Sequence, residues 1–469
     1  MNVNPITRLD YPDMDVIRVE DTYYMVSTTM HFMPGCEILQ SFDLVHWEHV
    51  NYVYETLDHT DAQQLKSGQN IYGQGMWAAS LRYHEGRFYV CFVANDTRKT
   101  YLYISEKIDG PWKKQLIEGF YHDGSLLFDE DGRNYIVYGN DEIWITELNE
   151  DLTAPKKDGL HRLLVSDHKN PKLGYEGSHI QKINGYYYIF LVHSLRDRWM
   201  RTEACFYSDS LEGEFTGGDV LCDDRGYCGQ GVAQGGIVDT PDGKWYAMLF
   251  QDSGAVGRIP ILLPVTWKDH FPIFGQNGHV PEEIEVHSTR PGYIYQPLVG
   301  SDDFCNGLLP RWQFNHDPDP RYYHLDALQG TYTITTREVC TELTQAVNTL
   351  TQRMSYPSCA AEVTVDASAL KEGDVAGLCA LQSCYAAVGI TKHHGKYEVL
   401  MLDKKEDGIL DMTEGTVVES HQMDFRLEAD FCNMKDEARC YYRVNKGDWL
   451  PIGTVHKLYF KLDHFTVPV

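Results

Sequence analysis

Five residues of unlike chemistry stand 11 or 12 residues before a repeated tyrosine. Asp13 lies 11 residues before Tyr24, while Trp77, Asp123, Glu176 and Gln234 lie 12 before Tyr89, Tyr135, Tyr188 and Tyr246. Equal offsets in a repeat mean equivalent places in space, so two aspartates, a glutamate, a tryptophan and a glutamine are expected to converge. Paired carboxylates are the basic machinery of glycosidic bond hydrolysis: one donates a proton to the leaving oxygen, the other stays ionised. A third acid can raise the donor's pKa by like-charge repulsion and orient it. A tryptophan offers a flat apolar face to a sugar ring. Three carboxylates also suit calcium, so the residue types alone leave a metal site open. Any one of these acids by itself would read as a solvated turn carboxylate.

The elements that must position them are short strands. Long helical periodicity is nearly absent, and aromatic and β-branched runs alternate with Gly, Asp and Asn turns. One pattern recurs as EDTYYMV, EGRFYVCF, DGRNYIVY, NGYYYIFL and DGKWYAML, a tight turn entering a buried strand. Its tyrosines are separated by 65, 46, 53 and 58 residues, about the length of a four-stranded propeller blade with its loops. SFDLVHW, SEKIDGPW and SDSLEGEF follow three copies as the next hairpin. The reading is an all-β chain with a five-bladed β-propeller over residues 1–297, and the five offset residues on or beside the innermost strands that line the axis.

Composition narrows the partners. The chain has 469 residues, 68 acidic against 41 basic, and a net charge of -27. That excess argues against nucleic acid and anionic membranes, which need a basic face. No stretch approaches the roughly 18 apolar residues of a membrane span. The opening MNVNPITRLDYPDMD has neither a basic nor an apolar leader region. The 12 cysteines are scattered without a CxxC pair, which fits reduced thiols and a cytoplasmic setting.

The motifs, in order, resemble glycoside hydrolase family 43, the five-bladed propeller β-xylosidases and α-L-arabinofuranosidases. They are Asn4-Pro5 with YPDMD at 11–15, STTMHFMPGCEILQSFDLVHWE at 27–48, GQGMWA at 73–78 and HDGSLLFDEDG at 122–132. YEGSHI at 175–180, GVAQGGIVDTPDGKWY at 231–246 and GAVGRIP at 254–260 complete the set. The resemblance implies that Asp13 is the general base, Glu176 the general acid, and Asp123 the acid that tunes and orients the donor. It implies substrate contacts from Arg258, His31, Phe32, Trp77 and Gln234. It further implies inversion of configuration, with base and acid roughly 6.5–9.5 Å apart. Many relatives hold a hydrated calcium on the propeller axis beside a histidine. Here that region reads Gln234-Gly235-Gly236, and a glutamine oxygen still suits Ca²⁺. Trp77 is followed by Ala78-Ala79 where Ala-Pro is usual, and Ser253 stands where histidine is frequent.

A second domain is expected over 298–469. TYTITT, AAEVTVDA, YAAVGITK and KYEVLMLD alternate as strands of a β-sandwich. WQFNHDPDPRYYHL and LTQAVNTLTQR resemble the concanavalin-A-like domain appended to many family 43 enzymes, in which a sandwich loop reaches the pocket mouth. Relatives continue beyond the equivalent of KLYFKLDHFTVPV, so either the sandwich is shortened, which would expose a sheet edge, or its last segment is unusual. The function expected is exo-acting release of terminal α-L-arabinofuranosyl units, with β-D-xylosyl units as the alternative, from hemicellulose-derived oligosaccharides. A fructan or sucrose hydrolase would need a WMNDPNG-type motif that YPDMD lacks. A non-catalytic sugar-binding protein would not need three acids in equivalent positions.

Overall fold

A computed structural model describes residues 2–461. Among them there is no α-helix, only strands and short 3-10 turns, and so no helix long and apolar enough to cross a membrane. Five consecutive four-stranded sheets come first, each antiparallel and wound from inside outward in chain order. Their inner strands are Asp15–Val19, Met76–His84, Ser125–Phe128, Glu176–Ile183 and Val232–Asp239. Each inner strand contacts the next, and the fifth contacts the first, so they form a closed ring about a common axis.

The ring is held by apolar seams between neighbouring sheets, and the repeat tyrosines fill them. Tyr24 packs between the first and second sheets and Tyr89 between the second and third. Tyr135 and Tyr188 occupy the next two seams, and Tyr246 lies between the fifth sheet and the first. Every copy therefore faces the sheet that follows it. No strand crosses from one sheet to another, so burial of these seams closes the ring. A polar clasp assists. Asn2–Val3 pairs with Glu283–Ile284, and the buried Asn4 side chain donates to Leu262 O (2.7 Å) and Pro281 O (2.9 Å) while accepting from Leu262 N (3.0 Å).

The second domain packs two sheets face to face. One holds Ser358–Asp366, Gln422–Asp430, Glu437–Val444 and Leu450–Lys457; the other is built on Val375–Ala380, Ala386–His393 and Lys396–Lys404. Phe425, Leu427, Val388, Ile390, Val399 and Met401 fill the space between them, and Ala255, Val256 and Ile259 of the propeller join the same core. Three of the four strands expected from the sequence lie in these sheets, while Thr331–Ile334 pairs with Tyr323–Asp326 in a separate two-stranded sheet. The question of a shortened end falls partly on residues 462–469, which lie outside the described residues. Up to that point Leu450–Lys457 is the outer strand of its sheet, and Leu458 is buried in the core.

The domains share a sheet. Gln313–Asn315 of the second domain pairs with Phe32–Met33 of the propeller on one side and with Leu350–Thr351 on the other. A further bridge joins Leu9 to Ser355, and Tyr356 N donates to Arg8 O (2.9 Å). The chain segment that leads to Asp13 therefore lies against the sandwich.

Candidate active site

One backbone distortion repeats at the head of all five inner strands. Asp13 (φ 52°), Ala78 (φ 30°), Asp123 (φ 48°), Gly177 (φ 63°) and Gln234 (φ 65°) all adopt the left-handed conformation. In the second, fourth and fifth sheets this residue sits in a β-bulge, between Trp77 and Ser80, Glu176 and His179, and Ala233 and Gly236. Bulges re-aim side chains, and strained residues gather where function over-determines them. The offset counted from the tyrosines is thus the place where each strand turns toward one end of the axis.

Asp13 is buried and held on both oxygens. Arg258 Nη1 lies 2.6 Å from Oδ1, and Thr28 Oγ1 donates to Oδ2 at 2.8 Å. Thr28 in turn accepts from Ala78 N (2.8 Å), which ties the first site loop to the second. Arg258 is itself buried between Asp13 and Asp252, its Nε 3.3 Å from Asp252 Oδ1, while Arg201 Nε holds Asp252 Oδ2 at 3.0 Å. Arg258 N donates to Asp10 Oδ1 (2.5 Å) and its carbonyl accepts from Tyr11 N (3.0 Å).

Asp123, Glu176 and His122 form a second cluster. His122 Nε2 stands 3.6 Å from Asp123 Oδ2 and 3.5 Å from Glu176 Oε2. Gly177 N donates to Asp123 Oδ2 (3.1 Å), and Asn140 Nδ2 donates to Glu176 Oε2 (2.6 Å). Burial pushes Asp123 up to about 6, with His122 opposing and the charges of Glu176 and Asp13 adding to the rise. Burial pushes Glu176 up too, but the hydrogen bond and charge of His122, with Arg201 and Arg258 beyond, outweigh it and hold the carboxyl below the usual glutamate range. His122 is lifted to about 9, first by Asp123 and then, against burial, by Glu176 and Asp13. The sequence leads one to expect Asp123 to raise its neighbour; in the structure His122, between them, reverses that balance. These three residues have the composition of a metal site.

Asp13, Asp123, Gly177 and Gln234 line one axial cavity together with Asp15, His179, Ser80 and Ser178. The histidine facing the axis is His179, from the fourth sheet, 3.1 Å from Asp15 Oδ1. Asp15 Oδ2 pairs with Arg82 Nη1 at 2.6 Å, and Arg82 also donates to Ser125 Oγ, Leu126 O and Ile180 O. Both oxygens of Asp15 are therefore taken up by protein side chains. Gln234 Oε1 and Asp123 Oδ1 are buried oxygens without a hydrogen-bond partner, and such hard donors fit a hydrated calcium ion. Gln234 N donates to the fully buried Glu203 (2.7 Å), which fixes the backbone that aims this side chain.

Trp77 has its ring centroid 6.5 Å from that of His122, beside the acid cluster. His31 is fully buried in the seam with the sandwich, whereas Phe32, nearly buried, lines a cavity there with Asp10, Thr28 and Arg353. His31 packs against Phe32 (4.2 Å between centroids), Tyr72 (4.8 Å) and His316 (4.9 Å). The sandwich reaches the site loops here, with His316 Nε2 accepting from Ile71 N (3.0 Å) and Asn315 Nδ2 donating to Tyr72 Oη (2.6 Å). Ser253 is buried in the turn before Arg258, its N–H on Gly257 O (2.8 Å). Sequence reasoning passed over His122, Asn140, Thr28 and Asp252. His122 adjoins Asp123 and was the one within reach of the repeat count; the others come from second strands and loops outside it.

The profile of Glycosyl hydrolases family 43 matches residues 3–272, and that of the Beta xylosidase C-terminal Concanavalin A-like domain matches 301–466. A beta-xylosidase of Formosa agariphila is 27% identical over 86% of this chain and 76% of its own. A non-reducing end alpha-L-arabinofuranosidase of Bacteroides ovatus is 24% identical over 87% of this chain and 79% of its own. Among solved structures, one described as a bifunctional GH43-CE of Bacteroides eggerthii superposes with a TM-score of 0.93 at 41% identity. All of this chain is covered, but it spans only 60% of that protein's length. A GH43 glycoside hydrolase engineered to display both endo-xylanase and exo-arabinofuranosidase activity superposes at 0.85 with 27% identity, covering 99% of this chain and 95% of its own. With more than half the chain matched, and with its three acids on one ring of inner strands, this chain belongs to glycosyl hydrolase family 43.

Proposed function

We propose that the chain is an exo-acting, inverting glycosidase that releases terminal α-L-arabinofuranosyl units from arabinoxylan or arabinan oligosaccharides. The observation that carries this reading is the separation of the acids into two settings. Asp13 is paired with the buried Arg258, while Glu176 and Asp123 share a proton-bearing neighbour in His122. Asp13 then accepts a proton from water as that water's oxygen attacks the anomeric carbon. Glu176 gives a proton to the departing oxygen as the glycosidic bond breaks. A proton on His122, 3.5 Å from Glu176 Oε2, is available to that carboxyl once bound sugar excludes water and burial regains the upper hand. Trp77 supplies an apolar face beside this cluster.

β-D-Xylosidase activity is the second reading. It is favoured by the names of relatives such as the Formosa protein and by the similar hydroxyls that the two five-carbon sugars present. Paired assays on aryl α-L-arabinofuranoside and aryl β-D-xyloside, with product anomers followed by NMR, test both. Equal or greater turnover of the xyloside would reverse the preference. Retained configuration would remove Asp13 as the base.

Calcium on the axis is a separate proposal. Gln234 and Asp123 would hold it through the two unpartnered oxygens, and when bound it would supply positive charge beneath the pocket. Metal analysis after dialysis, and the shift of the melting temperature on adding Ca²⁺ or a chelator, test it without reference to activity.

A further inference from the structure

We propose that Arg353, contributed by the sandwich, is a positioning residue for Asp13. The inference rests on the reading of Asp13 as the base.

Arg353 leaves its own domain and enters the propeller. Its Nη1 lies 2.7 Å from Glu37 Oε2, its Nε donates to the backbone carbonyl of Asp10 at 2.9 Å, and its guanidinium covers the Tyr11 ring at 4.4 Å from the centroid. Glu37 is itself buried and is held on its other oxygen by His49 Nδ1 at 3.1 Å. A planar guanidinium can satisfy a carboxylate, a carbonyl and a ring face at once, which an ammonium cannot. Three contacts of one side chain thus fix the backbone at residues 10 and 11.

That backbone is what Arg258 rests on. Asp10 Oδ1 accepts from Arg258 N at 2.5 Å, and Tyr11 N donates to Arg258 O at 3.0 Å. The fit is close, since a Cβ on Gly257 would fall 2.1 Å from Asp10 Oδ1. Arg258 then holds Asp13 Oδ1 at 2.6 Å. The linkage therefore runs from Arg353 through Asp10 and Tyr11 to Arg258 and on to Asp13. Every member is buried or nearly so, and two routes, the chain itself and the guanidinium of Arg258, reach the same carboxylate. Displacement of a base by about 1 Å can lower turnover on the order of 100-fold. A residue that merely stapled the two domains would affect stability and leave the chemistry of the folded protein alone.

The test uses the full chain with the Arg353→Met and Arg353→Lys substitutions, assayed on aryl α-L-arabinofuranoside. Arg353→Met is expected to lower kcat by about 10–100-fold with KM changed less than about threefold, in protein that still melts in one transition. Arg353→Lys is expected to recover part of that loss. Unchanged kcat in folded Arg353→Met would overturn the proposal, as would a loss no larger than the unfolded fraction. If Arg353→Met does not fold, Glu37→Gln decides, since it leaves the arginine in place but weakens its anchor. A severalfold fall in kcat at unchanged melting temperature supports the linkage, and unchanged kcat refutes it. Asp13→Ala, measured alongside, separates the two levels. If Asp13→Ala stays active, the base reading fails; if it is inactive while Arg353→Met is normal, only the positioning fails.

Discussion

The backbone N–H of Gly177 donates to Asp123 Oδ2 at 3.1 Å, so the residue that follows Glu176 is tied to the acid of the preceding sheet. The two carboxylates are thereby fixed relative to each other by main chain and not by flexible side chains alone. Ser178 strengthens the tie, its Oγ donating to Asp123 O at 2.7 Å. Asp13 approaches the same cavity from the opposite seam, carried by Arg258 and Thr28.

Glu176→Gln should keep the fold, because a glutamine oxygen can still accept from Asn140. It should lower kcat by about 10²–10⁴-fold on substrates whose leaving group needs a proton. On nitrophenyl glycosides, which leave readily as anions, the loss should be much smaller. Comparing the two substrate classes on purified variant checks the role, and an equal loss on both would remove Glu176 as proton donor.

The acid cluster sets the pH profile. His122 at about 9 and Asp123 at about 6 bracket the range in which one proton is shared beside Glu176. These values belong to the cluster as much as to single residues. In His122→Asn the imidazolium is gone, so Glu176 rises from its depressed value but alone must keep the proton. The basic limb of kcat/KM is therefore expected to move to lower pH. A limb that stays in place would show that His122 takes no part in proton bookkeeping.

Gly177→Ala should cost both stability and turnover. The residue has φ 63°, and an added Cβ would lie 2.8 Å from Gln234 Cγ. A left-handed alanine costs about 1 kcal/mol or more, and relief of the clash must move Gln234 or break the bond to Asp123. Urea unfolding should show a loss of about 1–3 kcal/mol, with kcat falling in the folded fraction. Wild-type stability in this variant would mean that the bulge is not strained.

Asp10 gives stability a pH dependence of its own. Burial lifts it to about 7, although Arg258 N–H and the charges of Arg353 and Arg258 pull it down and Asp13 adds to the rise. Its folded value lies above that of the unfolded chain, so the folded state binds the proton more tightly. The associated stability is complete below about pH 4 and is lost as pH rises through about 7. Asp10→Asn keeps an oxygen for Arg258 N–H and cannot ionise. The fall in melting temperature between pH 5 and pH 8 should be smaller in that variant than in the wild type, and an identical fall would assign the dependence to other groups.

Spacing along the chain identifies which residues are equivalent. A hairpin tyrosine repeated through the propeller marks the second strand of each sheet, because each sheet must present the same apolar face to its successor. Counting back from it reaches Asp13, Asp123 and Glu176 at the left-handed turns of the inner strands or beside them. Periodicity is local, so it survives in one dimension. The charge state of the site is not local. His122 lies between Asp123 and Glu176 only because the third and fourth sheets are neighbours, and its imidazolium overrides the burial of Glu176. His31 and Phe32 adjoin the site in sequence, but the sandwich strand Gln313–Asn315 pairs beside them and buries them. Arg353 is 343 residues from Asp10 along the chain, and no spacing rule links the two. Desolvation and ion pairing depend on what surrounds a group from every direction, and only the closed ring with the sandwich docked on it decides that.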